Sequence, residues 1–173
     1  MSSEMFTLLE ARITLLERQI TRLSGHLSLN TGPKKATHIG YAHPGLRISC
    51  AYDEEKTERG ERFCWVGGGE QLQFIFDIEP AYPMECRLKL QAYSDTSFAD
   101  AKLVVNNAEI ENWTITQTEF DWASYSFDIP VSAARVTSIV FVGVKPLRLS
   151  KQEVKDDHRL LAARFFGAEF LPR

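Results

Sequence analysis

The chain has 173 residues, 44 % hydrophobic and 25 % charged, with 20 basic against 23 acidic side chains and a formal net charge of −3. That suffices for one hydrophobic core plus an appendage. Neither sign of charge is concentrated, so the basic footprint that phosphate neutralisation demands is missing and nucleic acid is not an expected partner.

The first residues, Met1 to Phe6, lack the basic and apolar regions of a secretion signal. No apolar run is long enough to span a bilayer, so a cytoplasmic protein with no membrane span is expected.

From Phe6 the apolar residues fall at Phe6, Leu9, Ile13, Leu16, Ile20, Leu23 and Leu27 in alternating steps of three and four. This is a heptad seam, with Phe6, Ile13, Ile20 and Leu27 at position a and Leu9, Leu16 and Leu23 at d. Ser2 or Ser3 can cap the helix, with Glu4 beside its positive end, and Gly32-Pro33 stops it. Leu8 and Leu15 widen the apolar face, which leaves packing on the chain's own domain as the competing reading. The strict repeat favours a coiled coil over residues 1–30, followed by a linker at 31–36.

Ile at a with Leu at d is a dimer pattern. Against it, Arg12-Ile13-Thr14-Leu15-Leu16-Glu17 is similar to the Arg…Glu motif of trimeric coiled coils, so a homotrimer is expected ahead of a dimer. Arg12 and Glu17 fall at g and e, where they would pair between chains.

Beyond the linker the period changes. Short stretches rich in Val, Ile, Phe, Tyr and Trp predict strands at 37–41, 46–52, 62–66, 71–78, 85–94, 102–105, 109–116, 124–129, 136–144 and 165–171. Turn residues separate them at the spacing of an antiparallel, jelly-roll-like β-sandwich, predicted over residues 37–173. Asn106-Asn107 predicts a tight hairpin, because Asn tolerates positive φ. Gly67-Gly68-Gly69 reads as a turn; it lacks the Lys-Ser/Thr of a phosphate loop. Residues 145–158 read as a surface loop with a helical turn from Ser150.

Chemistry-bearing patterns are few. Cys50, Cys64 and Cys86 are odd in number and without short paired spacing, so reduced, buried strand residues are expected. His38 and His43, five apart, would face opposite sides of a straight strand, and no metal or cofactor is expected. No Ser or Cys sits in a nucleophile signature. Two acidic groups, Asp53, Glu54, Glu55 and Glu58, and Asp156 with Asp157, read as solvated loops rather than as a catalytic pair.

The aromatics are more suggestive: Tyr41, Tyr52, Trp65, Tyr82, Tyr93, Trp113, Trp122 and Tyr125. Such faces stack on sugar rings. Trp65, between Cys64 and Val66, reads as core, whereas Trp113, Trp122 and Tyr125 lie nearer strand ends and are the candidates for a carbohydrate-binding patch.

The stretches Arg62-Phe63-Cys64-Trp65-Val66-Gly67, Gln71 to Phe76, Lys102 to Ile110, Tyr125 to Pro130 and Asp156 to Phe165 occur in that order. Together they resemble the small β-sandwich accessory domains found beside glycosyltransferases in bacterial polysaccharide and O-antigen biosynthesis proteins. Ala162 stands where those domains usually carry Gly. The resemblance implies a non-catalytic module serving surface-polysaccharide assembly, with a glycan or glycosyltransferase partner; Asp157 and Arg159, at matching places, read as a structural ion pair pinning the loop to the sheet ahead of a ligand clamp. The alternative is a trimeric scaffold or fibre-like protein whose heads bind a protein partner.

Overall fold

The computed structural model describes residues 36–148 and 159–173. The coiled coil expected at 1–30, nearly all of the linker, Ser150, Asp156, Asp157 and His158 lie outside the described residues, as does the helical turn expected from Ser150.

The described part is an antiparallel β-sandwich. Its strands are β1 (Thr37–Gly40), β2 (Leu46–Ile48), β3 (Ala51–Lys56), β4 (Arg62–Gly67), β5 (Gln71–Phe76), β6 (Met84–Ala92), β7 (Lys102–Val105), β8 (Ala108–Ile110), β9 (Trp113–Gln117), β10 (Ala123–Ile129), β11 (Thr137–Val142), β12 (Leu147–Arg148) and β13 (Leu160–Pro172). The larger sheet runs β3-β4-β13-β6-β10-β9, with β1 and β12 also paired to β13. The smaller runs β2-β5-β11-β7-β8.

Period-two alternation decides which side chains enter the core. Along β6, Met84, Cys86, Leu88 and Leu90 are buried while Glu85, Arg87 and Lys89 face outward. In the smaller sheet Leu72, Phe74 and Phe76 of β5 and Ile139 and Phe141 of β11 point toward the larger one. The sheets meet ring to ring, Phe74 on Phe165 at 4.8 Å and Phe76 on Phe170 at 4.9 Å. Each such ring stabilises the fold by roughly 1.5–3 kcal/mol through burial. Thr137 is buried with them because its hydroxyl donates to the Ile78 carbonyl at 2.9 Å.

Two predicted strands are each broken in two. The stretch 46–52 divides at Ser49-Cys50, where Cys50 takes φ 55°, so that β2 joins the smaller sheet and β3 the larger. The stretch 109–116 divides at Glu111-Asn112, between β8 in the smaller sheet and β9 in the larger. At both points the chain changes sheets. The hairpin at Asn106-Asn107 forms as expected, with φ of 50° and 69°, and Asn106 Oδ1 accepts from the Ser138 amide at 2.8 Å.

Strand β13 is longer than the 165–171 expected and organises the larger sheet. On one edge it pairs with β4 and then β1, and on the other with β12 and then β6. A bulge at Phe166 interrupts its pairing with β6 and turns the Phe166 ring onto Phe63, 5.5 Å away. Gly67 is required for close approach, since a Cβ there would lie 2.0 Å from the Leu160 carbonyl oxygen.

Cysteine placement departs from expectation at one position. Cys64 and Cys86 are buried, but Cys50, at the sheet-changing turn, is exposed; all three are free.

Candidate functional site

The larger sheet extends past the cover that the smaller sheet provides. Trp113, Ile115 and Gln117 alternate onto the inward side of β9, in register with the buried face of β10. Of these, only Trp113 is part-buried; Ile115 is 49 % exposed and Gln117 is open to solvent. The turn at residues 94–101 takes the place of missing sheet there. Its Phe98 wedges against Tyr125 at 5.6 Å and Phe141 at 5.2 Å.

Between this turn and β9 runs a groove of about 390 Å³. Trp113, Ile115 and Gln117 line one side, Asp95 and Ala99 the other, and the rings of Phe98 and Tyr125 lie beneath. The walls are held firmly. Ser97, fully buried, bonds the Ser94 amide through its hydroxyl at 3.2 Å and receives the Lys145 amide on its carbonyl at 3.0 Å. Trp113 stacks on Tyr125 at 6.0 Å and 20°, so its ring orientation is set before any ligand arrives.

The three residues expected to form one patch are divided by the fold. Trp113 and Tyr125 meet at the groove, but Tyr125 is 3 % exposed rather than presented on the surface, and burial pushes its phenol up to about 12. Trp122 lies over the outer face of the larger sheet, its ring stacked on Phe120 at 5.3 Å and 3° with the Lys89 ammonium 4.9 Å from its centre. The physical reason is position: Tyr125 lies on the buried face of β10, whereas Trp122 precedes that strand, in the bend where it stacks on Phe120.

Asp95, Gln117, Ile115 and the exposed Phe120 were not singled out by the sequence. Nothing in a local pattern distinguishes them; long-range pairing alone brings them to their surfaces.

The other candidates are engaged elsewhere. Asp53, Glu54 and Glu55, expected in a loop, lie in edge strand β3, and Glu58 follows it. Glu54 pairs with Arg62 at 3.4 Å. Glu55 accepts from the Trp65 indole at 3.1 Å and from Arg159 at 2.9 Å. Arg159 therefore has Glu55 as a partner, while Asp157 lies outside the described residues. Trp65 is buried as expected, but on the outer face of the larger sheet, where Arg164 stacks over Trp65 and Phe63 at 4.8 and 4.9 Å.

His38 approaches Glu169 at 3.3 Å, while His43 accepts the Gly45 amide in the next turn, so the two do not converge. Among the described residues no group of three or more His, Cys, Asp or Glu could hold a metal ion. Nor is any helix there long and apolar enough to cross a membrane.

No family model and no curated relative matches the sequence. Solved structures similar to this chain include the CBM35 from Cellvibrio japonicus Abf62, with a TM-score of 0.48 at 14 % identity, over 79 % of this chain and 93 % of that one. Another is the C-terminal CBM6 of LamC, a marine laminarinase from Zobellia galactanivorans, with a TM-score of 0.46 at 8 % identity, over 79 % of this chain and 99 % of that one.

Proposed function

We propose that this chain is a non-catalytic carbohydrate-binding module whose ligand lies in the groove between the 94–101 turn and β9. One observation carries the reading: a preoriented, part-exposed indole, Trp113, beside the exposed Ile115, with the carboxylate of Asp95 and the amide of Gln117 in the same groove. A sugar ring offers an apolar C–H face to an aromatic and hydroxyls to a carboxylate or an amide, and this groove supplies both kinds of contact.

The absence of catalysis in this reading is supported by the carboxylates of β3. Glu54 and Glu55 are occupied by Arg62, Trp65 and Arg159 rather than facing a common cleft. Two further parts of the proposal rest on the sequence. The heptads from Phe6 to Leu27 would gather several heads into a trimer, so that weak sites act together. The motifs from Arg62 to Phe165 would assign the module to surface-polysaccharide assembly.

Calorimetric titration of the full chain with a broad glycan panel at millimolar concentration tests the binding claim. Saccharide binding that disappears in Trp113→Ala and persists in Trp122→Ala is the expected result. Absence of binding across the panel, or binding indifferent to Trp113, would contradict it. Light scattering across a dilution series, with an Ile13→Asp/Ile20→Asp variant reduced to folded monomer, tests the oligomer.

A further inference from the structure

The charges around the groove are unevenly distributed. Asp95 is the one ionisable carboxylate among the described residues that line it, and no Lys, Arg or His lines it with them. Lys102, next to the turn in sequence, is held by Glu109 at 3.0 Å, and Lys145, whose amide bonds the Ser97 carbonyl of the turn, is held by Asp100. A ligand entering the groove therefore meets the exposed carboxylate of Asp95 with no positive side chain among the residues that line the groove with it.

We infer that the groove takes neutral saccharides and rejects uronates and other anionic sugars. This rests on the reading of the groove as a saccharide site and specifies its ligand class.

The chemistry is one of donors and acceptors. An ionised carboxylate only accepts hydrogen bonds, so Asp95 needs donors. The hydroxyls of a neutral hexose supply them, and hydrogen bonds to a charged acceptor are the stronger kind. A uronic acid replaces the primary hydroxyl with a second carboxylate, which has no proton to give and repels Asp95. Gln117 can serve either ligand, because its amide both donates and accepts, so discrimination falls to Asp95.

Matched hexasaccharides of a hexose and its hexuronic acid, in the gluco, manno and galacto series, are titrated into the full chain at low and at high salt. In the series that binds, the neutral member should bind at least about tenfold more tightly at low salt, with the ratio shrinking as salt screens the repulsion. Asp95→Lys should reverse or abolish the preference. Asp95→Asn should narrow it while keeping the neutral ligand bound.

Equal or tighter uronate binding by the wild type, lost in Trp113→Ala, would overturn the inference while leaving the saccharide site standing. A neutral preference unchanged in both Asp95 variants would overturn it as well. Binding of neither member in any series, or binding that survives Trp113→Ala, would instead overturn the reading of the groove itself.

Discussion

Trp113 lies nearly parallel to Tyr125, ring centroids 6.0 Å apart, with the Phe141 ring set steeply against both at 5.9 and 6.3 Å. The tyrosine is thereby a buried support for an indole that is only part-buried, and the two carry different burdens. Trp113→Ala should lower unfolding free energy by about 1–3 kcal/mol, less than a fully buried ring would, while abolishing saccharide binding. Tyr125→Phe should leave binding nearly intact. Urea unfolding beside calorimetric titration separates the two effects.

The alkaline limb of stability should be steep. Burial pushes the Cys64 thiol up to about 11 from 9.0 and the Tyr125 phenol to about 12 from 10.0, and also raises the Cys86 thiol well above its ordinary value. The folded chain holds these protons more tightly than the unfolded one, so stability is whole below pH 9 and falls as the pH rises toward 12. A loss of up to about 5 kcal/mol from Cys64 and Tyr125 is expected across that window, and Tyr125→Phe should flatten its upper part. Urea midpoints at stepped pH measure it. In the same burial pattern, a thiol reagent at pH 8 should label Cys50 quickly, and Cys64 and Cys86 only on unfolding.

Glycine substitutions should differ sharply by position. A Cβ at Gly67 would meet the Leu160 carbonyl oxygen, and one at Gly167, where φ is 152°, would come within 2.8 Å of the Ile39 carbonyl oxygen. Gly67→Ala and Gly167→Ala should each cost about 2 kcal/mol or more. Gly69 meets nothing within 4 Å, so Gly69→Ala should change stability by less than about 0.5 kcal/mol in thermal unfolding.

Phe120 is 55 % exposed and stacked on Trp122, away from the groove, in a turn fixed by the Thr118 hydroxyl, which bonds the Trp122 carbonyl and accepts the Phe120 amide. Phe120→Ala should cost about 1 kcal/mol or less and leave saccharide affinity unchanged. A marked loss of affinity would move the binding surface to the outer face.

The local signals were legible and the long-range ones were not. Alternation along β6 and β10 and the Asn106-Asn107 hairpin follow from neighbours in sequence, so the sandwich could be read. The breaks at Ser49-Cys50 and Glu111-Asn112 leave the hydrophobic pattern almost continuous while carrying the chain from one sheet to the other. The second break places Trp113 on the inward side of β9. Its neighbour in register there is Phe127, and residues 92–99 complete the groove, so no window of sequence contains the site. Trp122 precedes both the expected strand at 124–129 and β10 itself, so its nearness in sequence to Tyr125 did not tell which face it would cover.

In the proposed function the groove beside Trp113 receives the ligand. The most direct test is a nitrogen-edited NMR titration with a neutral saccharide, following the indole N–H signals of Trp65, Trp113 and Trp122, which mark the outer-face cluster, the groove and the Phe120 stack. A concentration-dependent shift of the Trp113 signal and of the amides from 94 to 99 is expected, with Trp65 and Trp122 unmoved. Shifts confined to Trp122 and its surroundings, or none at millimolar saccharide, would contradict it.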